Sequence, residues 1–308
     1  MKGLLEPAPL CVPTITDYLA RRPGPTRRQG GGGAPDRAPL FSVVTVVFNG
    51  ERHLEDAIRS VVRQSETDRE YIVIDGGSTD RSLEIIQDHE HHIDLWISEP
   101  DRGMWDAINK GLALCRGRYT KLLNADDLLP VHALASARDA FSHHGDRVCV
   151  RSDLEVIDDA GRVIERMGTA RMIRHYPVFL HPSWCLPRSI YEELGLYVTK
   201  YTHSADSEYA MRLSHNGIEA VHLDEVLAQF RVGGMSQSTT GVWEGFDIHR
   251  RYIGEARAAH IMGTMLWKKL RFHALATLVG ERRAHSIRAR LKSWMGVSSK
   301  ASFSVKER

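Results

Sequence analysis

Near-continuous apolar runs alternate with segments of helical periodicity from Phe41 onward. Short apolar runs are typical of strands buried on both faces of a sheet, whereas apolar residues three or four positions apart indicate amphipathic helices. The pattern predicts strands over Phe41–Phe48, Tyr71–Asp75, Ile93–Ser98 and Tyr119–Leu123, and helices over Leu54–Gln64, Ser82–Asp88 and Met104–Cys115. This alternating series with short connections predicts an α/β fold built on a mostly parallel sheet flanked by helices.

The pattern changes after Val148. Two apolar segments, Val148–Ile157 and Val163–Met167, flank the polar stretch Asp158–Arg162, which predicts a β-hairpin. Further helices are predicted over Ser189–Leu194 and Ser207–Asn216, and strands within Ala220–Val232. We therefore expect a mixed second half that packs against the parallel first half.

Polar side chains stand where the predicted parallel strands end, at Asn49, Asp75, Glu99, Asp101, Asp126 and Asp127. Ligands of parallel sheets bind outside the carboxyl ends of the strands, so the series indicates a nucleotide-sized cleft. Asp126 and Asp127 are adjacent, and burying such charges is costly unless they are paired or bind a metal. They favour Mg²⁺ or Mn²⁺ with a phosphate-bearing ligand. The alternative is a helix N-cap, because a helix is predicted to begin near Pro130.

Charge is distributed unevenly along the 308 residues. The formal net charge is +2, but residues 265–308 carry eleven Lys or Arg against two Asp or Glu, which leaves the central part of the chain acidic. An acidic body argues against a nucleic-acid-binding protein, and a basic tail favours contact with anionic lipid. Residues 1–40 are rich in Pro and Gly, so we expect a disordered leader, with order beginning at Phe41.

The four cysteines form no CxxC pair; they are Cys11, Cys115, Cys149 and Cys185. This spacing indicates reduced thiols in a cytosolic protein. We expect no signal peptide in Met1–Ala20, which lacks a sustained apolar core. We also expect no membrane span, because no run reaches about 18 apolar residues.

Several motifs coincide with these strand ends. They are Ser42–Gly50 (SVVTVVFNG), Ser60–Gln64 (SVVRQ), Ile74–Asp80 (IDGGSTD), Ile97–Gly111 (ISEPDRGMWDAINKG), Asn124–Asp127 (NADD), His181, Ser204–Tyr209 (SADSEY) and Phe230–Ser236 (FRVGGMS). With them the chain, from about Phe41 to Ser236, resembles bacterial family-2 glycosyltransferases, which are inverting enzymes of the GT-A fold. The segment Ile97–Gly111 is similar to a subgroup that builds surface polysaccharides and glycolipids.

Four positions depart from the pattern of that family. Gly76 stands where many relatives have a second Asp, and Asn124 stands where many have the first Asp of a DxD motif. Trp105 replaces a usual Tyr, and Pro182 follows His181 where Gln is common. The first two changes concern the metal motif, and the other two concern the acceptor pocket.

The resemblance implies roles for the donor side. Asp127 would be the direct ligand of Mg²⁺ or Mn²⁺, which bridges the diphosphate, and Asp126 would bind the ribose or assist the metal. Asp75 would accept a hydrogen bond from the nucleotide base above Val46 and Phe48, and its alternative is a turn cap before Gly76-Gly77. The donor-binding residues are then Val46, Phe48, Asn49, Asp75, Asp101, Asp106 and Asp126.

Asp101 and Asp106 flank Gly103, which permits close backbone approach to a ligand. We expect the two carboxylates to bind the donor sugar or the acceptor. Lys110 lies four residues beyond Asp106, so the alternative for Asp106 is a surface ion pair worth a few tenths of a kcal/mol.

The resemblance also implies that Asp206 is the general base. Asp206 precedes the predicted helix Ser207–Asn216, so the alternative is an N-cap, and the helix N-terminus should lower its pKa. Glu208 and Asp101 are the next candidates for the base. His181 is a weaker candidate for the acceptor side, because a lone His is often structural.

The residues and the resemblance together predict an inverting, metal-dependent glycosyltransferase of residues 41–240 with a basic helical extension over residues 241–308. It would act at the cytoplasmic membrane face on a lipid-linked, polysaccharide or glycolipid acceptor. Trp and Leu interleaved with Lys and Arg from Met265 onward favour peripheral binding to an anionic membrane, and the alternative is a packed helix. Two other functions remain open, a nucleotidyltransferase and a non-catalytic nucleotide- or carbohydrate-binding protein.

Overall fold

Four parallel strands form the centre of the fold in this computed structural model, which describes residues 10–20, 27–29, 37–168, 180–231, 240–264 and 267. All seven residues of the strand Phe41–Val47 are buried, as its apolar run predicts. The helix that follows buries Leu54, Ala57, Ile58 and Val61, the residues at helical spacing. Burial of these runs removes apolar surface from water, which is the main stabilising contribution to such a core.

The elements follow one another in a simple order. The strands are β1 (Arg27–Gln29), β2 (Phe41–Val47), β3 (Arg69–Asp75), β4 (Leu95–Ser98), β5 (Tyr119–Asn124), β6 (Val148–Ser152), β7 (Leu154–Ile157), β8 (Val163–Met167), β9 (Cys185–Pro187), β10 (Glu219–Leu223) and β11 (Gln229–Arg231). The helices are α1 (Ile15–Ala20), α2 (Leu54–Val62), α3 (Ser82–Asp88), α4 (Met104–Leu114), α5 (Ala133–His144), α6 (Arg188–Leu194), α7 (Ala205–His215) and α8 (Thr240–Ile253).

The described strands form two sheets. The larger sheet has the order β1-β4-β3-β2-β5-β9-β6-β10, and the smaller one has the order β11-β7-β8. Strands β4, β3, β2 and β5 run parallel, whereas β9 is antiparallel to both of its neighbours. The predicted α/β fold with a mostly parallel sheet and a mixed second half is therefore confirmed.

Helix α4 packs closely on β2 because of a glycine. A Cβ atom at Gly111 would stand 2.3 Å from Cγ1 of Val44, so any larger residue would push the helix away from the sheet. The close packing of α4 on β2 holds the first turn of this helix near the carboxyl ends of the strands. This first turn carries Trp105 and Asp106.

The predicted strand Val148–Ile157 is two strands. β6 belongs to the large sheet and is parallel to β10, whereas β7 pairs with β8 and β11 in the small sheet. Apolar residues stand on both sides of Asp153, so the hydrophobic pattern alone did not reveal that the chain changes sheets there. The predicted hairpin around Asp158–Arg162 is confirmed, with β7 antiparallel to β8.

The leader contains two ordered elements, so the expectation of disorder up to Phe41 is wrong for them. α1 lies in residues 10–20, and β1 pairs antiparallel with β4. The carbonyl of Pro13 accepts a hydrogen bond of 2.7 Å from the amide of Leu196. Backbone pairing with a sheet edge and a distant loop accounts for this order, and composition does not record such partners.

The chain forms two compact units, Met1–Glu244 and Gly245–Arg308. The predicted boundary between a catalytic domain and a helical extension at residues 240 and 241 stays a prediction. Across the described residues, no helix combines the length and the apolar character that a bilayer crossing requires. Apart from Trp267, the basic tail from Met265 lies outside the described residues.

Candidate active site

The parallel strands bring a row of polar residues to one edge of the sheet. In the strand order β4, β3, β2 and β5, the residues after or at each carboxyl end are Asp101, Asp75, Asn49 and Asp126. Asn49 has a left-handed φ of +51°. Its amide donates to Oγ of Ser78 at 2.8 Å, and its Oδ1 accepts from the amide of Thr79 at 2.8 Å. Asn49 thus ties the loops after β2 and β3 together.

Asp75 is fully buried and both of its carboxylate oxygens are used within the protein. Oδ1 accepts from the hydroxyl of Ser78 at 2.5 Å, and Oδ2 accepts from the hydroxyl of Ser98 at 2.6 Å. These contacts match the turn-cap alternative. Val46 is buried in β2, whereas Phe48 is 64 % exposed and offers an aromatic face at the strand end.

Asp101 lies against the backbone of Gly76. A Cβ atom at position 76 would stand 2.3 Å from Oδ2 of Asp101, so only glycine leaves room for this carboxylate. Oδ1 of Asp101 accepts a hydrogen bond of 2.7 Å from the amide of Gly103. Burial raises the pKa of Asp101 above its usual value.

Asp106 supports the loop that carries Asp101. It is almost fully buried and accepts from the amide of Arg102 at 3.2 Å and from its guanidinium at 2.9 Å. Lys110 is also buried and its ammonium lies 3.0 Å from Oε1 of Glu99, but 3.8 Å from Asp106. The alternative pairing of Asp106 with Lys110 is present at 3.8 Å, but both side chains are buried, so it is not a surface pair. Both side chains also contact residues 99–102.

The acidic turn after β5 separates its two carboxylates. Asp127 is fully buried, and it accepts from the amide of Arg231 at 3.1 Å and from Nδ2 of Asn124 at 3.0 Å. Asp126 is partly exposed, and its carboxylate has no hydrogen-bond partner among the described residues. The carboxylate of Asp127 is therefore used in hydrogen bonds within the protein, whereas the carboxylate of Asp126 is partly exposed to solvent.

A divalent cation fits this turn only if the protein supplies part of its coordination shell and other ligands supply the rest. The described residues contain no group of three or more His, Cys, Asp or Glu that could hold a metal. Mg²⁺ and similar hard cations bind one or two carboxylates and complete their shell with phosphate oxygens and water. Burial raises the pKa of Asp127 to about 7, and the charge of Asp126 adds to the rise. A cation held at the exposed carboxylate of Asp126 would offset the repulsion between the two acidic side chains.

Asp206 lies inside the first turn of α7, not before it. Ser204 is the N-cap residue, and α7 begins at Ala205. Oδ1 of Asp206 accepts from the amide of Ser207 at 2.7 Å. Burial raises the pKa of Asp206 to about 6, so the expectation that the helix N-terminus lowers it is wrong. Removal of the carboxylate from water outweighs the favourable helix dipole here.

Glu208 is part of the core and not of the acceptor side. It is fully buried and forms a two-point ion pair with Arg212, whose guanidinium also donates to the carbonyls of Leu194 and Leu196, each at 2.9 Å. A buried, paired carboxylate cannot reach a ligand in the cleft. Glu208 is therefore not a substitute for Asp206 as the base.

His181 is buried among aromatic rings. Its Nε2 lies 2.9 Å from the hydroxyl of Tyr197, and the ring centroid of Trp105 is 5.4 Å from its own. Burial lowers the pKa of His181 to about 3, which keeps the ring neutral. The structure thus gives His181 a packing position beneath Trp105.

Trp105 connects the two halves of the site. Its indole Nε1 donates to the carbonyl of Thr202 at 3.1 Å, and its ring stacks on Tyr197 at a centroid distance of 5.0 Å. Trp105 stands at the start of α4 and Thr202 stands four residues before Asp206. The donor-side helix and the loop leading to Asp206 are therefore held in contact.

Sequence reasoning missed the role of Arg231. Its Nε donates to the carbonyl of Asp126 at 3.0 Å, and its Nη1 donates to the carbonyls of Asp158 and Asp159 at 2.8 and 2.6 Å. An arginine between the apolar residues Phe230 and Val232 was the available signal, because a buried guanidinium needs several acceptors. Arg231 joins the acidic turn to the hairpin of the small sheet.

Comparison with known proteins identifies the family of this architecture. Residues 42–177 match the family described as Glycosyl transferase family 2. An uncharacterized glycosyltransferase of Mycobacterium tuberculosis is 30% identical over 235 residues, which covers 72% of this chain and 89% of that protein. A PGL/p-HBAD biosynthesis glycosyltransferase of Mycobacterium bovis is 26% identical over 212 residues, covering 65% of this chain and 80% of that protein.

The chondroitin synthase of Escherichia coli is 28% identical over 194 residues, which is 59% of this chain but only 27% of that enzyme. The chain therefore spans about a quarter of the synthase.

Solved structures share the fold. The mannosyltransferase PcManGT of Pyrobaculum calidifontis, in complex with GDP-Man and Mn²⁺, superposes with a TM-score of 0.54 at 16% identity, covering 91% of this chain and 85% of that one. Staphylococcus aureus TarS 1–349 in complex with UDP has a TM-score of 0.55 at 18% identity, covering 73% of this chain and 70% of that one. Because the identities are below 20%, these likenesses show the fold alone, which is the GT-A architecture.

Proposed function

Since the chain belongs to glycosyltransferase family 2 and has the GT-A fold, we propose that it transfers a sugar with inversion from a nucleotide-sugar donor to a lipid-linked, polysaccharide or glycolipid acceptor. Two structural neighbours are complexes with GDP-Man and with UDP, which supports a nucleotide-sugar donor. The relative named for PGL/p-HBAD biosynthesis supports a glycolipid acceptor. The transfer breaks the bond between the anomeric carbon and the diphosphate and forms one to an acceptor oxygen.

One observation carries the proposal: two carboxylates stand in different environments on the two halves of the site. Asp126 is partly exposed at the end of β5, and Asp206 stands in the first turn of α7 with a raised pKa. Inverting transfer needs one group for the leaving diphosphate and a separate base for the acceptor hydroxyl. A protein that only binds a nucleotide has no need for the second group.

On the donor side, Asp126 is the better direct ligand of the cation, and Asp127 holds the turn. Asp127 already accepts hydrogen bonds on both oxygens, whereas Asp126 accepts none from the described residues. When bound, Mg²⁺ or Mn²⁺ supplies the positive charge that stabilises the leaving diphosphate. Arg231 and Asn124 fix the turn in the orientation that presents Asp126.

On the acceptor side, Asp206 takes the proton of the acceptor hydroxyl. With a pKa of about 6, the carboxylate is mostly ionised at neutral pH yet more basic than an ordinary Asp. General bases work best when their pKa lies near the operating pH. The hydrogen bond from Trp105 to the carbonyl of Thr202 fixes the segment that leads to Asp206.

We further propose that the enzyme works at the cytoplasmic face of the membrane and meets anionic lipid through its basic tail. The support is the excess of Lys and Arg in residues 265–308, interleaved with Trp and Leu. Such segments bind anionic surfaces by charge and by shallow apolar insertion. A lipid-linked acceptor would then be presented at the same surface.

The proposed function is tested by product analysis. Purified protein is supplied with UDP- and GDP-sugars, Mn²⁺ and a mixture of polyprenyl-linked and glycolipid acceptors, and the anomeric configuration of the product is read by NMR. We expect acceptor-dependent release of nucleoside diphosphate with inverted configuration, abolished by EDTA. Retained configuration would overturn the inverting mechanism, and full activity in EDTA would overturn the metal role. Transfer of a nucleotidyl group would instead support the nucleotidyltransferase alternative.

A further inference from the structure

The carboxylate of Glu244, near the start of α8, accepts hydrogen bonds from two consecutive backbone amides of the segment before α7. Its Oε1 accepts from the amide of Thr202 at 2.8 Å and from the hydroxyl of the same residue at 3.0 Å. Its Oε2 accepts from the amide of His203 at 2.9 Å. Only 12 % of the Glu244 side chain is exposed, so water and salt screen these contacts little. Glu244 thus ties the start of α8 to the segment that leads to Asp206.

The backbone of Thr202 is held from two sides. Its carbonyl accepts from the indole of Trp105 on α4 at 3.1 Å, whereas its amide donates to Glu244. The hydroxyl of Ser204 also donates to the carbonyl of Gly241 on α8, at 3.4 Å. Two helices that are far apart in the sequence therefore fix the backbone immediately before α7.

This segment sets the position of Asp206. Ser204 is the N-cap residue of α7, and its carbonyl accepts a hydrogen bond of 3.0 Å from the amide of Glu208. Asp206 stands two residues after Ser204, in the first turn of the helix. Because hydrogen-bonded segments and helices move as connected units, a displacement at Thr202 or His203 is passed to the carboxylate of Asp206.

Glu244 also acts on Asp206 by its charge. The titratable groups that neighbouring elements bring to this region include Tyr197 after α6, His203 before α7 and Glu244 in α8. Burial holds the pKa of Tyr197 well above its usual value, so its hydroxyl stays neutral while carboxylates titrate. Burial is the main cause of the raised pKa of Asp206, the amide of Ser207 opposes the rise, and the negative charge of Glu244 adds to it.

We infer that Glu244 is a positioning residue for the general base: through the backbone of Thr202 and His203 it holds Asp206 where an acceptor hydroxyl can be deprotonated. This inference rests on the proposed function. It gives a part in sugar transfer to helix α8, which begins beyond residues 42–177, the segment that matches the family. Because both oxygens of Glu244 are bound to this segment, its effect falls on the rate of transfer and not on nucleotide binding. Its charge distinguishes it from a purely structural contact.

Two variants separate the charge of Glu244 from its reach. Glu244→Gln keeps the length of the side chain, but it removes the charge and offers one carbonyl oxygen for two amides. Glu244→Asp keeps the charge but is one methylene shorter. The matched control is Glu66→Gln. The side chain of Glu66 is 10 % exposed and its Oε1 accepts from the amide of Asp68 at 2.9 Å, but Glu66 precedes the amino end of β3, away from the cleft.

The first measurement is the pH profile of kcat, with the UDP- or GDP-sugar and the acceptor that wild type uses, after circular dichroism has confirmed the fold of each variant. Glu244→Gln should lower kcat by about 10- to 100-fold with the donor KM unchanged, because a misplaced catalytic group loses rate steeply. Its acid limb should move to lower pH, since loss of the negative charge lowers the pKa of Asp206. Glu244→Asp should lose rate with a limb closer to that of wild type, and Glu66→Gln should change neither.

The second measurement needs no substrate. NMR titration of protein with isotope-labelled aspartate follows the carboxyl carbon of Asp206, which is assigned by its loss in Asp206→Asn. Hydrogen–deuterium exchange follows the amides of Thr202 and His203. We expect a lower titration midpoint in Glu244→Gln than in wild type or Glu66→Gln, and faster exchange of both amides in the two Glu244 variants. The carbon signal belongs to Asp206, so titration of His203 is not mistaken for it.

The outcomes separate this inference from the proposed function. Wild type that transfers sugar, with a Glu244→Gln variant of unchanged kcat and acid limb, overturns the role of Glu244 and leaves the proposed function intact. A lower kcat with an unmoved acid limb and an unmoved Asp206 midpoint also overturns it, because the loss would then be purely structural. An equal loss of turnover in Glu66→Gln has the same meaning. Wild type that transfers no sugar to any acceptor overturns both.

Discussion

The backbone amide of Arg231 donates a hydrogen bond of 3.1 Å to Oδ1 of Asp127, across 104 positions of sequence. The same arginine holds the carbonyl of Asp126 through Nε. These two contacts fix the acidic turn from the side of the small sheet. The orientation of the turn therefore depends on a strand that contributes nothing to the parallel half of the fold.

The turn itself gives the first prediction. Asp126→Asn should lower turnover by about 10²- to 10³-fold, because the carboxylate that would hold the cation is lost and with it the positive charge that stabilises the leaving diphosphate. Asp127→Asn should cost less than about tenfold, since Oδ1 of the new Asn still accepts from Arg231 and the amide of Asn124 can flip to meet the new NH₂ group. Turnover and Mn²⁺ affinity in the presence of UDP measure both effects. Equal losses in the two variants would contradict the division of roles.

The second prediction concerns the guanidinium of Arg231. Arg231→Lys keeps the charge but cannot span the carbonyls of Asp126, Asp158 and Asp159, which three separate guanidinium hydrogen bonds now satisfy. We expect the free energy of unfolding to fall by about 1–3 kcal/mol, because three partly buried hydrogen bonds of the guanidinium are lost. Mn²⁺ affinity should fall with it.

Urea unfolding and calorimetry provide the measurements for Arg231→Lys. Arg59→Lys is the control, because Arg59 forms an exposed pair with Glu55 on α2. If Arg231→Lys has normal stability and normal Mn²⁺ affinity, the turn that carries Asp126 and Asp127 keeps its orientation without the guanidinium of Arg231.

The third prediction is a pH dependence. Asp206 must be ionised to accept a proton, and burial raises its pKa to about 6. The ionised fraction falls as the pH drops through 6, so the rate should fall about tenfold per pH unit below that value. Asp206→Asn should reduce the rate by about 10²- to 10⁴-fold and remove the acid limb, with nucleotide affinity retained. Near-normal turnover of Asp206→Asn would show that Asp206 is not the general base and serves only the first turn of α7.

The fourth prediction distinguishes Glu208 from Asp206. Glu208 is fully buried in its pair with Arg212, and breaking such a pair typically costs about 3–5 kcal/mol. Glu208→Gln should therefore lower the melting temperature while the folded fraction keeps its turnover and its pH profile. Glu55→Gln is the exposed control and should change neither. A selective loss of turnover at unchanged stability would return Glu208 to the list of candidate bases.

The fifth prediction concerns the basic tail. A chain that ends at Thr264 loses a segment with a net charge of +9, from eleven Lys or Arg against two Asp or Glu. Co-sedimentation with phosphatidylglycerol vesicles should drop and become insensitive to salt, whereas UDP binding should persist. Unchanged vesicle binding would contradict the membrane role. A truncated chain that fails to fold would assign the tail to packing.

The sequence predicted the parallel half well because its evidence is local. Each of β2, β3, β4 and β5 is a buried apolar run, and parallel pairing then aligns their carboxyl ends without further information. Asn49, Asp75, Asp101 and Asp126 were placed at one edge by that rule alone.

The missing parts depended on distant partners. Which of Asp126 and Asp127 faces outward is decided by Arg231, far along the chain. The pKa of Asp206 follows from the packing around α7, which its position at a helix terminus does not reveal. β1 is ordered because it pairs with the edge of β4. The chain changes sheets at Asp153 because β6 pairs with β10 and β7 pairs with β8.

The long sequence separation between Asp127 and Arg231 also orders events during synthesis. At about 5–20 residues per second, a ribosome adds Arg231 roughly 5–20 s after Asp127. The parallel strands from Phe41 to Asn124 are contiguous and precede that moment, so a nascent chain can fold its nucleotide half while the acidic turn still lacks its anchor. The acidic turn thereby acquires its anchor only after residues 41–230 have been made, so its orientation is fixed late in synthesis.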